Sequence, residues 1–142
     1  MKLLALKFGC GGMRCAHRVR RHKSTLISRG SIVSLKKCRF RGHFYRIDSV
    51  SDVETCAEDI RSLDKKHARA THPHMSAWVA DKTTYGFDDN GETGAGKRLL
   101  SILQKRNLSG VYIAVTRWYG GSHLGSKRFR AICNAAKDSI TT

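Results

Sequence analysis

The stretch Val111-Tyr112-Ile113-Ala114-Val115-Thr116-Arg117, running into Trp118-Tyr119-Gly120-Gly121-Ser122-His123-Leu124-Gly125, decides how the chain folds. From Val111 to Arg117 apolar side chains fall on both faces, which a strand in the middle of a sheet requires. Trp118 to Gly125 is a turn. From about Ser126 to Ser139, Phe129, Ile132, Cys133, Ala136 and Ile140 recur at helical spacing, so the turn feeds a helix.

Moving outward, the same order appears again. A polar, glycine-punctuated loop from Thr83 to Gly96 leads into a helix from about Lys97 to Arg106, with Leu99, Leu100 and Leu103 turned inward and Asn107 to Gly110 ending it. Val53, Cys56, Ala57, Ile60 and Leu63 mark a further helix from about Asp52 to Lys66, and Ser51 with Glu54 has the spacing of a capping box. The break at Ala70-Thr71-His72-Pro73 precedes a strand near Met75–Ala80. Phe40 to Ile47 is a strand, and Thr25–Ser28 and Ser31–Leu35 form a hairpin around Arg29-Gly30. Gly9, Gly11, Gly12 and the run from Arg18 to Lys23 read as irregular structure. Helices alternating with strands predict an α/β (α+β) fold, a mixed sheet packed on one face by helices.

The chain has 142 residues, which suits one domain, and 27 Lys and Arg against 11 Asp and Glu, a net charge of +16. That repulsion is relieved by a polyanionic partner such as RNA. The charge is uneven. Residues 1–47 hold 13 basic and no acidic residues (+13), whereas residues 48–142 hold 14 basic and 11 acidic residues (+3). The division expected is a basic extension over 1–34 and a folded domain over 35–142. The acid-free, arginine-rich start, seeded with Leu3, Leu4, Leu6 and Phe8, suits a mitochondrial transit peptide and equally an RNA-binding arm; the compartment expected from it is the mitochondrial matrix, with the cytoplasm as the alternative. No apolar run approaches the ~20 residues of a membrane span. Five cysteines without a CxxC argue against a disulfide framework and a zinc ribbon. Cys56 and Cys133 fall on apolar helix faces. Cys10, Cys15, His17 and His22 match no common zinc spacing, and no metal or cofactor is called for.

Two glycine-rich turns carry the functional signal. Gly91-Glu92-Thr93-Gly94-Ala95-Gly96-Lys97-Arg98 nearly spells a phosphate-binding P-loop, but Arg98 stands where the magnesium-holding Ser or Thr belongs, and no buried strand leads into it. NTP hydrolysis is therefore set aside. What remains is a glycine turn at a helix start, where backbone amides favour anions, with Lys97 and Arg98 beside it. The second turn repeats this with Gly120, Gly121, Arg117, Lys127 and Arg128, and Trp118 and Tyr119 are candidates to stack on unpaired bases. The plainer alternative is that the glycines serve tight turns and close packing. Asp88, Asp89 and Glu92 make an acidic island. With His67, His72 or His74 they could build a hydrolase; otherwise they cap turns and pair with Lys97, Arg98 or Arg117.

These residues also carry a resemblance. Ala70-Thr71-His72, then Asp88-Asp89-Asn90-Gly91-Glu92-Thr93-Gly94-Ala95-Gly96, then Val115-Thr116-Arg117-Trp118-Tyr119-Gly120-Gly121 and Leu124-Gly125 resemble the Impact/YigZ family in order and spacing. Arg39-Phe40-Arg41-Gly42-His43 is similar to that family's first strand, and the likeness runs from about Leu35 to Ile140. The resemblance implies a four-stranded sheet with helices on one side, as in domain IV of elongation factor G. It implies a role in translation without catalysis. Eukaryotic members of the family associate with ribosomes and restrain the amino-acid-starvation kinase by competing for its large co-activator. The RWD or ferredoxin-like second domain of such relatives has no counterpart in the sequence, which shifts the expectation towards rRNA or a ribosomal particle as partner, with a large protein partner as the alternative.

Overall fold

The computed structural model describes residues 24–141. The residues ahead of Ser24, with the expected arm or leader and the Cys10, Cys15, His17 and His22 set, lie outside the described residues. The elements in chain order are β1 (Thr25–Arg29), β2 (Val33–Leu35), β3 (Cys38–Arg46), α1 (Asp52–Arg61), α2 (Lys65–Ala68), β4 (His72–Val79), β5 (Tyr85–Asp88), α3 (Ala95–Lys105), β6 (Val111–Trp118) and α4 (Lys127–Thr141).

β6 sits at the centre of the sheet, which runs β1-β3-β6-β4-β5, with β2 also paired to β3. Its first seven residues are buried, as its two-sided apolar pattern requires. The α+β class is as expected, but the sheet is not four-stranded and mixed: it has six strands, and every ladder is antiparallel. Two local causes account for the difference. β1 and β2 do not pair with each other around Arg29-Gly30; both pair with the long β3. The tight hairpin lies instead at Lys36-Lys37, with φ of 47° and 63°, the geometry of a two-residue primed turn. Two lysines carry none of the usual Asn-Gly signal for such a turn. β5 lies inside the stretch expected as loop, where Ser76↔Asp88 to Val79↔Tyr85 complete the far edge. Residues 25–34, expected in the basic extension, thus run along the sheet.

Helices cover both faces rather than one. Val111, Ile113 and Val115 of β6 join Phe40, Phe44, Met75 and Ala77 in a core closed by Leu99 and Leu103 of α3 and Ile132, Ala135 and Ala136 of α4. The alternate residues Tyr112 and Ala114 point the other way and pack with Tyr45 and Ile47 under Cys56 and Ile60 of α1. A central strand that is apolar on both faces needs cover on both, and a single helical layer leaves Tyr45 and Tyr112 wet.

The expected helix over Asp52–Lys66 is two helices. α1 ends at Arg61, and Asp64 caps α2 by accepting from the His67 amide at 2.8 Å. The expected capping box is absent: Ser51 makes no side-chain cap bond, and Glu54 pairs with Arg61. The Asp52 carboxylate instead holds the turn ahead of the helix, accepting from the amides of Asp48 and Ser49 at 2.8 and 3.2 Å. α4 crosses β3 so closely at Gly42 that a Cβ there would lie 2.3 Å from the Ala135 carbonyl oxygen.

A buried polar chain links three strands. His43 is fully buried, and its Nε2 lies 2.9 Å from the Thr116 hydroxyl, which donates to the Pro73 carbonyl at 2.7 Å. The Thr116 proton is thereby committed, so His43 donates from Nε2. Burial, then the neighbouring His67, Arg29 and Arg41, pull the His43 pKa from 6.5 to about 3.

Two outcomes follow from this packing. Gly42→Ala should lower the unfolding free energy by about 3 kcal/mol, whereas Gly121→Ala, at φ 89° in open space, should cost about 1–2 kcal/mol; urea denaturation ranks the two. The His43 contribution to stability is complete above pH 6.5 and is lost as the pH falls towards 3, because over that window the unfolded imidazole binds a proton that the folded one refuses. In NMR titrations its ring should stay neutral through pH 6.5; a titration there would contradict the buried hydrogen bond.

Candidate functional site

The first turn leaves β5 and is built by its own carboxylates. Asp88 Oδ1 accepts from the Asn90 amide at 2.8 Å, and Asn90 and Gly91 take φ of 48° and 89°. Asp89 Oδ1 accepts from the Gly96 amide at 2.8 Å, and the Glu92 carbonyl accepts from the Ala95 amide at 3.0 Å. The start of α3, where an external anion was expected, thus already holds an internal one. Gly96 lets α3 lie against β5: a Cβ there would meet the Phe87 ring at 2.8 Å. Gly94, at φ 92°, precedes α3 in a left-handed conformation that glycine adopts freely. Thr93, Lys97 and Arg98 are exposed.

Glu92 is the buried member of the acidic island. Its Oε2 pairs with Arg117 at the end of β6, and its Oε1 accepts from Arg128 Nε at 2.6 Å, in the first turn of α4. His72 Nε2 lies 3.6 Å from Oε2, while His72 Nδ1 bonds the Asn90 carbonyl at 2.9 Å. One carboxylate therefore ties the first turn to both ends of the second. Arg117 and Arg128, expected as anion ligands, are occupied by Glu92. Arg128 also donates to the Gly125 carbonyl at 2.6 Å. The guanidiniums of Arg98 and Arg128 each stand 4.3 Å from the Phe129 ring centroid, so the sequence assignment of Phe129 to the core missed its second role as their platform.

The second turn faces elsewhere. Trp118 donates from Nε1 to the Lys66 carbonyl at 2.8 Å, stands edge-on to His67 at 5.0 Å and lies under the Arg39 guanidinium at 5.7 Å. It is anchored to α2. Tyr119 is 44% exposed, with its amide held by Thr71 Oγ1 at 3.1 Å. At Gly120 a Cβ would lie 2.1 Å from the Lys37 carbonyl oxygen, so the turn seats directly on the Lys36-Lys37 hairpin. Gly121 and Lys127 are exposed. The structure thus gathers His72, Glu92, Arg117 and Arg128, places Lys97, Arg98 and Lys127 around them at the surface, and sets Trp118 and Tyr119 apart beside α2 and Thr71. Cys38, whose Sγ accepts from the Gly120 amide at 3.4 Å, joins the turn with no sequence signal to announce it.

Among the described residues, no three His, Cys, Asp or Glu side chains cluster as metal ligands, and no helix is long and apolar enough to cross a membrane. Glu92→Gln should cost about 3–5 kcal/mol, because it leaves the Arg117 guanidinium buried without its charge partner. Asp88→Asn, at an exposed position, should stay under about 1 kcal/mol. Thermal and urea unfolding of the pair check the contrast; equal losses would show that Glu92 is not the pin.

Comparison with known proteins places this geometry. A family model described as the Impact N-terminal domain matches residues 36–140. Protein IMPACT of Rattus norvegicus is 34% identical over 118 residues, covering 80% of this chain and 37% of that protein. The IMPACT homolog of Schizosaccharomyces pombe is 32% identical over 108 residues, 74% of this chain and 38% of that one, and the Caenorhabditis elegans homolog 31% over 122 residues, 81% and 47%. The chain spans less than half the length of these relatives. Among solved structures, a crystal structure of a hypothetical protein superposes with a TM-score of 0.72 at 28% identity, covering 83% of this chain and 59% of that one. The two-domain translational regulator Yih1 gives 0.50 at 27% identity, covering 80% and 45%. With residues 36–140 matching the family model and relatives above 30% identity covering most of it, the chain belongs to the Impact N-terminal domain family.

Proposed function

We propose that this protein acts in translation as a non-enzymatic, RNA- or ribosome-associated regulator. The observation that carries this reading is the pinned pair of turns. Glu92 pairs with both Arg117 and Arg128, so the cluster keeps one net positive charge, and Lys97, Arg98 and Lys127, exposed at the starts of α3 and α4, add to it as a basic rim. A rim of cations on a chain of net charge +16 suits a phosphate backbone. The similarity to Yih1, a translational regulator, supports the placement in translation. The carboxylates of the acidic turn favour binding over hydrolysis, since Asp88, Asp89 and Glu92 each already hold an amide or a guanidinium.

A protein partner is the second reading, and a specific observation favours it. β5 is an edge strand, and Tyr85 and Phe87 on it are 53% and 45% exposed. Exposed aromatics on an open edge suit docking of another chain.

Filter binding of ribosomal RNA against salt tests the first reading. Its logarithmic affinity should fall linearly and steeply with the logarithm of salt concentration. Replacing Lys97, Arg98 and Lys127 together by Gln should weaken binding with residues 1–23 intact. A flat salt response would overturn RNA binding, and retention of a protein partner after nuclease treatment would favour the β5 edge.

A further inference from the structure

We propose a second polyanion surface, on the helical face remote from the sheet: a groove between α3 and α4 that takes the phosphate backbone of a structured RNA. The proposal rests on the RNA reading above and assigns it a contact surface beyond the two turns.

The acids of the described domain are unevenly placed, and the α3–α4 face is nearly free of them. The outward sides of α3 and α4 present Lys97, Arg98, Lys105, Lys127, Arg130 and Lys137, and Arg106 follows at the end of α3. These two helices contain one carboxylate, Asp138, which is turned towards the Gly30-Ser31 backbone and accepts from the Ser31 amide at 2.7 Å. The opposite face mixes both signs: the acids of α1 and Asp64 at the cap of α2 stand among Arg29, Arg39, Arg41, Arg61, Lys65 and Lys66. The α3–α4 side differs in having cations with almost no carboxylate among them.

That side is not flat. Two adjoining shallow hollows of about 510 and 440 Å³ run along the α3–α4 seam. They share Arg98, Cys133 and Lys137, and extend to Lys105 and Arg106 at one end and Arg130 at the other. The half-buried Cys133 forms part of the floor. Ser101 and Asn134 add neutral hydrogen-bonding groups to the walls. Cations along both walls of a groove, with small polar groups between them, are what successive phosphates require. The groove offers little for a protein to anchor on: its one aromatic, Phe129, is half-buried under Arg98 and Arg128, and among the described residues the exposed large apolar side chains Ile27, Ile32, Val50, Tyr85, Phe87 and Tyr119 all lie off these helices. A protein interface needs such anchors at its centre.

The test uses the full chain and a duplex RNA hairpin as probe, with polyglutamate as a competing polyanion. Lys105, Arg106, Arg130 and Lys137 together changed to Gln should weaken hairpin binding roughly tenfold or more and reduce the salt slope by about one for each phosphate no longer neutralised. Circular dichroism monitors folding, and an independent arm avoids substitution at the cations: in a chain with Cys10 and Cys15 changed to Ser, a bulky maleimide on Cys133 should block binding, and bound hairpin should protect Cys133 from the reagent. If the wild-type chain binds no RNA, the broader reading fails. If it binds, but only Arg18, Arg20, Arg21 and Lys23 changed to Gln abolish binding while the groove variant and the Cys133 adduct bind normally, the groove is overturned and the broader reading stands. Polyglutamate displacing the hairpin at equal charge would overturn RNA as the occupant.

Discussion

The buried ion pairs of Glu92 are the constraint on which the functional edge depends. A carboxylate 7% exposed cannot stand alone, and here it meets Arg117 from the central strand and Arg128 from the last helix. Three segments distant in sequence converge on one charge. Loss of that charge would leave Arg117, which is itself buried, without compensation, so the turns are held together by electrostatic necessity as well as by packing. His72, from the start of β4, closes the same cluster through Asn90 and Glu92.

The sheet supplies the frame for this convergence. Because β6 is apolar on both faces, it takes the central position and draws helices to each side, and its C-terminal end carries Arg117 and Trp118 to opposite fates. Arg117 turns to Glu92 beneath α4; Trp118 turns to Lys66 and His67 of α2. The strict alternation of a strand sends neighbouring residues to different sides of the sheet, and it separates an internal ion-pair cluster from an aromatic one.

The same two-sidedness sorts the acids. They gather on α1, among Arg29, Arg61 and Lys65, while α3 and α4 hold one carboxylate between them and the carboxylates of the acidic turn are taken up in holding that turn. The cations of α3 and α4 therefore meet few acids, close to the rim of Lys97, Arg98 and Lys127. Rim and groove share Arg98, which rests on Phe129, so the two surfaces are continuous.

Much of this was legible in the residues. The two-sided pattern of Val111–Arg117 placed the central strand, the spacing of Leu99, Leu100 and Leu103 and of Ile132 and Ala136 placed the helices, and the composite of glycine and acidic turns pointed to the family. These are local periodicities and spacings, which the chain carries wherever it folds. Other features depended on contacts between distant residues. The Lys36-Lys37 turn forms because β2 and β3 pair, not because lysine favours positive φ. Cover for the second face by α1 follows from the apolar side chains of Tyr45 and Tyr112, not from the pattern of α1 alone. Pairing of the acidic island with Arg117 stood among the alternatives, but only burial at one point chose Glu92 as its acid and brought in Arg128. Sequence determined the central strand, the two long helices of the core and the net charge, and the tertiary structure decided which charges are paired inside and which remain at the surface, because desolvation acts on position in the fold and not on residue type.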